Sequence, residues 1–232
     1  RLAYQDICDF YDDFLGDTIN LDLYALAKTA STNETQFAKP ATDIVGSVIT
    51  GVTGGNTADT LTICGYPQWA GDNNCWVEVR AKIDVFTNAM LEFGFLDTLS
   101  DKTLTAVNDI DTPSVNTGLT DGALLAYDYS QTLKTFAMVT DGSTSNMNTT
   151  AITLSPVFSP TNATFHRFMV GISGDYAFSM IDGKNLTATT TGAIGQRVEG
   201  GSLLSFWIAA RTRTGAAKTV DIDYIAAHQD RA

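Results

Sequence analysis

The alternation of apolar and polar positions predicts strands along most of this chain. Residues 76–84 alternate strictly, with Val77, Val79, Ala81 and Ile83 facing one way and Glu78, Arg80 and Lys82 facing the other. This pattern is typical of a half-buried antiparallel strand. Residues 88–96 follow after a short turn and place Leu91, Phe93 and Phe95 on one face. The two runs together predict a hairpin.

Further runs of strand length continue to the end of the chain. They cover residues 123–129, 135–140, 144–149, 165–172, 176–181, 184–190, 203–211 and 219–227. Asp141-Gly142 predicts a hairpin turn between the second and third of these runs. Gly174-Asp175 and Asp182-Gly183 predict a three-stranded meander. Ten or more short strands without a helical window predict an all-β fold, a sandwich or a barrel.

The remaining stretches suggest one domain with an N-terminal extension. Residues 1–24 are aromatic and acidic, and we expect an arm that packs on the body or extends from it. Residues 25–232 form the single β-sandwich domain of this prediction. The gaps at 97–121 and 154–164 are rich in Thr, Asn, Asp and Ser, so they are expected to be surface loops, where contacts with partners tend to lie.

Composition supports the β prediction and excludes some functions. The 232 residues carry a formal net charge of −12, and they include 22 Asp, only 4 Glu and 33 Thr. Thr favours strands and Asp favours turns, whereas Glu favours helices. The negative charge argues against a protein that binds nucleic acid by neutralising phosphates. No apolar run is long enough for a transmembrane helix, and the first residues do not resemble a signal peptide.

The odd number of cysteines does not suggest a disulfide framework. Cys8, Cys64 and Cys75 fit three free thiols made in a reducing cytoplasm, and a single Cys64–Cys75 bridge is the alternative.

No catalytic motif emerges from the candidate acids and bases. The sequence contains no G-x-S-x-G nucleophile elbow whose serine His166 or His228 could activate as a base. Glu78 and Glu92 are interpreted as lone carboxylates on polar strand faces. Asp221 and Asp223 share a face that we expect to be solvated. The sequence therefore predicts a protein that is not an enzyme.

Two kinds of binding site have candidate residues. The acidic cluster Asp9, Asp12, Asp13 and Asp17 could offer oxygens to calcium, although no known calcium-loop pattern fits and no cofactor is predicted. Trp69 lies in a Gly/Pro-rich stretch, where an exposed indole could stack on a sugar ring. Trp76 and Trp207 have apolar neighbours and are expected in or near the core.

Four passages resemble concanavalin A-like β-sandwiches, the jelly-roll group that includes laminin-G and legume-lectin domains. They are Asp12-Asp13-Phe14-Leu15-Gly16-Asp17 before Leu23-Tyr24-Ala25; the hairpin at 76–95; Phe165 to Val170 with Tyr176 to Lys184; and Asp221-Ile222-Asp223-Tyr224-Ile225. The resemblance spans nearly the whole chain and implies an antiparallel two-sheet sandwich. The catalytic carboxylate motif of the hydrolase branch and a lectin metal site are absent from the pattern, so the resemblance specifies the fold better than the function.

The opening, the Thr/Ala/Gly-rich loops and the final strand also resemble virion proteins of tailed bacteriophages. This resemblance implies a structural protein located in the virion and assembled in the host cytoplasm. Its expected partner is the major capsid protein, which it would bind as a capsid decoration or cement protein, and it would form a homo-oligomer, by our expectation a trimer. Phe10, Tyr11 and Phe14 are the candidate anchors for this partner, unless they fold onto their own sandwich.

Three other functions stay open from the sequence. They are a carbohydrate-binding, lectin-like module; a tail or fibre module; and a glycosidase or lyase of the same fold. The last requires convergent carboxylates or a Tyr/His pair, for which Glu78, Glu92, His166 and Asp223 are the residues to inspect.

Overall fold

The computed structural model describes residues 7–16, 18–29, 34–40, 48–97, 102–110, 114–115, 120–130, 136–142, 152–155, 157–188 and 198–230, and all structural statements concern these ranges. The described residues form strands and one 3-10 turn, Gly71–Asn73. The strands are β1 Ile7–Asp12, β2 Ala25–Lys28, β3 Thr35–Ala38, β4 Ile49–Val52, β5 Thr60–Cys64, β6 Cys75–Ile83, β7 Ala89–Leu96, β8 Val107–Asp109, β9 Ser114–Val115, β10 Asp121–Asp128, β11 Phe136–Gly142, β12 Ile152–Ser155, β13 His166–Ser173, β14 Tyr176–Ile181, β15 Lys184–Ala188, β16 Ser205–Thr212 and β17 Thr219–Asp230.

These strands build two antiparallel layers of a jelly-roll sandwich, as the sequence predicts. Sheet A has the order β15-β14-β13-β6-β17-β4-β3, and β1 also pairs with β17. Sheet B has the order β2-β5-β16-β7-β10-β11-β12. The pairing of β12 with β15 joins the two layers along one side. A separate two-stranded ribbon, β8 with β9, belongs to neither layer.

Most predicted strands are confirmed, but one predicted turn is wrong. The alternation in β6 and the meander β13-β14-β15 appear as expected. Asp141 and Gly142 form no hairpin turn, because they continue β11 and pair with Gly122 and Asp121. Long ladders tolerate an Asp-Gly pair where a neighbouring strand satisfies its backbone groups. The strand predicted at 144–149 lies outside the described residues.

The core between the two sheets is apolar and aromatic. Phe93 of sheet B stacks on Phe168 of sheet A, with ring centroids 4.3 Å apart. The predicted inward faces of β6 and β7 both belong to this core. Cys64 and Cys75 are free and buried, so the alternative of a bridge between them is wrong. Their strands lie in different sheets.

A second apolar cluster covers the other face of sheet B. Residues 102–110, called the covering segment below, pack Ala106, Val107 and Ile110 against Leu124, Val139 and Trp207. This part of the gap at 97–121 is therefore not the surface loop that its polar composition suggests. Since both faces of sheet B are buried, every residue of β7 and β10 is buried.

The N-terminal residues add a strand to the body. β1 pairs with β17 from Ile7 to Asp12. Phe14 is buried in the inter-sheet core, and Phe10 packs against it beside Phe206. Tyr11 is 64% exposed and lies against Tyr224 on the outer face of sheet A. Phe14 is therefore an anchor of its own sandwich and cannot reach a partner. None of the described residues forms a helix long and apolar enough to cross a membrane.

Candidate functional site

The outer face of sheet B holds a glutamate that is entirely shielded from solvent. Glu92 projects from the middle of β7 and is 0% exposed. Its Oε2 accepts hydrogen bonds from the Ala106 amide at 2.8 Å and from the Trp207 indole at 2.9 Å, and its Oε1 accepts one from the Val107 amide at 2.7 Å. One carboxylate thus ties the covering segment to β7 and β16.

The local sequence explains how this carboxylate can be buried. Ala209 on β16 and Ala126 on β10 lie directly opposite Glu92, and their small side chains leave room for the covering segment to approach. Other hydrogen bonds hold the same segment. Thr62 donates to the Lys102 carbonyl at 2.7 Å, and Arg211 donates to the Thr105 hydroxyl at 3.4 Å. The interpretation of Glu92 as a lone carboxylate on a polar strand face is therefore wrong.

Burial and hydrogen bonding act on Glu92 in opposite directions. Removal from water raises the pKa of Glu92 to about 7, while the bonds from Val107, Trp207 and Ala106 and the charge of Arg211 counteract that rise. The three N–H donors suit the carboxylate form, which accepts and does not donate.

A cavity lies on the same face, beside the indole of Trp207. Its volume is about 170 Å³, and its walls come from the ends of β5, β7 and β16, from the turn after β5 and from the start of the covering segment. Tyr66 and Pro67 supply exposed apolar surface, and Trp207 and Leu96, each only 2% exposed, also line the cavity. Asp97, Lys102 and Ser205 supply polar groups. Mostly apolar walls with a few polar groups are typical of small-molecule sites, although this cavity is smaller than the ~300–1,000 Å³ of drug-sized ones.

The hydrogen-bonding groups of this cavity are held in place by their neighbours. Asp97 accepts a hydrogen bond from the Thr120 hydroxyl at 2.5 Å. Burial raises the pKa of Asp121, whose carbonyl accepts a hydrogen bond from the Asp97 amide, to about 6. Hydrogen bonds from Ser202 and from the Glu199 amide counteract this rise, while the charges of Asp97 and Glu199 add to it. The Tyr66 hydroxyl bonds the Leu21 carbonyl at 3.3 Å, and the Tyr66 side chain remains 48% exposed. The cavity therefore presents an exposed aromatic ring beside a positioned carboxylate.

The structure does not support the sugar site predicted at Trp69. This indole is 0% exposed and lies in the inter-sheet core, because Trp69 bridges to Leu204 in register with the strands. The Gly/Pro-rich stretch around it does form the rim of the cavity, through Gly65, Tyr66 and Pro67. Trp207 is buried as expected. Trp76 is half-buried on the outer face of sheet A, opposite the core-facing Cys75 and Val77, so its predicted place in or near the core is wrong.

The acidic N-terminal cluster makes protein contacts. Asp9 bonds His228, and Asp12 accepts hydrogen bonds from the Phe14 amide and the Tyr24 hydroxyl. Asp13 accepts one from the Leu15 amide. Asp17 lies outside the described residues. Within the described ranges, no group of three or more His, Cys, Asp or Glu side chains could hold a metal ion.

The residues considered for hydrolysis do not converge. Glu78 and Asp223 lie on the outer face of sheet A, where they bond Tyr224 and Arg80, whereas Glu92 lies on the outer face of sheet B. His166 is buried and bonds Asp182 at 2.8 Å. Arg80, which shares the outer face with Glu78, forms its ion pair with Asp223. A glycosidase built from these four residues is excluded by their separation.

Comparisons with known proteins place the sandwich in a recognised fold. No family model matches the chain, and no curated protein matches it. Solved structures do match. The carbohydrate recognition domain of Emp47p matches with a TM-score of 0.62 at 8% identity, covering 100% of both chains. A β-glucanase of Bacillus licheniformis matches with a TM-score of 0.55 at 9% identity, covering 97% of this chain and 98% of that one.

A protein of unknown function from Shewanella oneidensis MR-1 matches with a TM-score of 0.58 at 14% identity, covering 97% of this chain and 87% of that one. These matches show a concanavalin A-like β-sandwich, which confirms the fold implied by the sequence resemblance. The matched proteins include carbohydrate recognition domains and a glucanase. The virion location, the capsid partner and the trimer stay predictions.

Proposed function

We propose that this protein is a carbohydrate-binding, lectin-like module whose ligand site is the cavity beside Trp207. The observation that carries the proposal is the grouping of Tyr66 and Trp207 with Asp97, Lys102 and Ser205 around one opening on the outer face of sheet B. Sugars combine apolar C–H faces with hydroxyls. A site that offers aromatic surface together with a carboxylate, an ammonium and a hydroxyl matches both features.

The fold supports the same proposal by analogy. Matched proteins of this architecture include domains described as carbohydrate recognition domains. Such likeness alone transfers no ligand, because one fold hosts many functions. The volume of about 170 Å³ favours a single sugar ring, such as the end of a glycan chain, over a long oligosaccharide.

The burial and hydrogen bonding of Glu92 favour binding of a sugar over its hydrolysis. Both of its oxygens accept hydrogen bonds, and the covering segment separates it from solvent. Asp128, another carboxylate at this face, bonds Arg213 and Ser130. Retaining and inverting mechanisms both need two carboxyl groups that reach the same glycosidic bond. Asp97, the carboxylate that lines the cavity, is better suited to bind sugar hydroxyls.

A glycan array followed by calorimetric titration tests this proposal. We expect selective binding of a small set of glycans, with affinity reduced about tenfold or more in Tyr66→Ala and in Asp97→Asn, the loss of roughly one good contact. Tyr11→Ala is the matched control, because Tyr11 is also an exposed tyrosine but lies on sheet A. Absence of binding across the array, or equal losses in Tyr66→Ala and Tyr11→Ala, would contradict the proposal.

A further inference from the structure

The outer face of sheet A carries a row of aromatic side chains that crosses four strands. His228 on β17 lies opposite Trp76 on β6, Trp76 lies opposite Gly171 on β13, and Gly171 lies opposite Phe178 on β14. We call His228, Trp76 and Phe178 the aromatic strip. Because neighbouring strands are about 4.8 Å apart, three strand spacings make the strip about 14 Å long.

The strip is held in a fixed arrangement. Trp76 stacks on His228 with ring centroids 5.5 Å apart and an interplanar angle of 18°. Asp9 and Asp230 bind the two ring nitrogens of His228. Asp230 also accepts a hydrogen bond from Asn74 at 2.9 Å. A ring fixed in this way loses little conformational entropy when a ligand contacts it.

Gly171 allows the strip to continue towards β14. The ring of Phe178 lies over Gly171 in the space where the Cβ of any other residue would stand. Phe178 and Trp76 are both half-buried, so each ring keeps some surface available to a ligand. A larger residue at position 171 would displace Phe178 and interrupt the strip.

The surroundings of the strip indicate the chemistry of its ligand. Asp9 and Asp230 border it with carboxylates that are 61% and 51% exposed. In the next row, Glu78 of β6 lies opposite Ala226 of β17 and adds a half-buried carboxylate. Arg80, Lys82 and Asp221 lie further along the same two strands. Protein interfaces of standard size need about 800 Å² per partner and exclude charge from their centre. A narrow aromatic strip bordered by charges instead fits a slender ligand with apolar faces and many hydroxyls.

We propose that the aromatic strip binds a neutral polysaccharide chain, at a site separate from the cavity beside Trp207. The ring surfaces that are not stacked on one another contact the C–H faces of successive sugar units. Asp9 and Asp230 accept hydrogen bonds from the sugar hydroxyls, and the Asn74 amide can accept or donate. The chain's net charge of −12 and the bordering carboxylates repel an acidic polymer. The length of about 14 Å exceeds one sugar ring and so favours a polymer over a monosaccharide.

The test is retention of the full chain on insoluble neutral polysaccharides, using microcrystalline cellulose, chitin and insoluble β-1,3-glucan. We expect retention on at least one of them, weakened about tenfold in Trp76→Ala, the loss of roughly one good contact. Tyr66→Ala is the control and should be retained like the unmodified protein. If the unmodified protein is retained on none of the three, or if Trp76→Ala is retained equally well, the strip does not bind polysaccharide.

A measurement on the unmodified protein tests the strip even if the Trp76→Ala variant folds poorly. A soluble oligosaccharide of the retained polymer should shift the Trp76 indole N–H signal in a nitrogen-correlated NMR spectrum, and an unmoved signal would overturn the proposal.

The Tyr66→Ala control also distinguishes the aromatic strip from the cavity beside Trp207. Loss of retention in Tyr66→Ala with an unaffected Trp76→Ala would assign polymer binding to the cavity and overturn the strip. Failure of the glycan-array test leaves this retention experiment unaffected.

Discussion

At the scale of single residues, Glu92 organises the outer face of sheet B. A carboxylate without solvent exposure is costly unless its oxygens are bonded, and here three N–H groups bond them. The same bonds fix the indole that forms one wall of the cavity. Glu92 is therefore a positioning residue for the proposed sugar site.

The substitution Glu92→Ala tests this role. Loss of the carboxylate leaves two backbone amides and an indole without their acceptor, so the free energy of unfolding should fall by about 3 kcal/mol. Hydrogen exchange at the Ala106 and Val107 amides should accelerate as well. Both are measured against Glu78→Ala, a half-buried glutamate on sheet A whose loss should cost less than about 1 kcal/mol. Similar stability losses in the two variants, with unchanged exchange at Ala106 and Val107, would contradict the role of Glu92.

At the scale of elements, two sequence patterns predicted strands: strict alternation and short, nearly continuous apolar runs. β6 and β17 each expose one face, so their sequences carry the period of two. β7 and β10 are buried on both faces, and their nearly continuous apolar runs were the available signal that something covers sheet B. A glutamate inside such a run is itself a sign of a buried, bonded carboxylate. The covering segment could not be located, because its polar composition resembles that of an ordinary loop.

The first strand and the turn after it are expected to serve the fold. Phe14→Ala should lower the free energy of unfolding by about 3–4 kcal/mol, since it removes a ring buried in the inter-sheet core. Tyr11→Ala should lower it by less than about 1 kcal/mol, because the Tyr11 ring is mostly exposed. Denaturant titration measures both. A small effect of Phe14→Ala would mean that this residue does not anchor the N-terminal strand to the sandwich.

At the scale of the whole molecule, the acidic charge says less about function than about fold. The 22 Asp and 4 Glu fit the strands and the single 3-10 turn that the described residues form. The sandwich was predictable because strand patterns and turn signals recur along the chain. The cavity beside Trp207 was not, because it is formed by the ends of three strands and a segment that are distant in sequence. The cluster at Asp9, Asp12 and Asp13 likewise became interpretable only through its partners His228 and Tyr24.

The virion hypothesis and the lectin-like proposal differ in what the molecule must contact. The first rests on a resemblance of sequence style and expects Tyr11 to face a capsid lattice. The second rests on the geometry of the cavity, with support from the carbohydrate recognition domains of the same fold. The most direct measurement therefore reports on the cavity itself.

That measurement is a titration with the best glycan of the array, in which NMR records the indole N–H signals of the three tryptophans. Trp207 lines the cavity and should shift in proportion to occupancy, while Trp69, buried in the core, should stay unmoved and serves as an internal reference. A Trp207 signal that does not move at saturating glycan would contradict a sugar site on the outer face of sheet B.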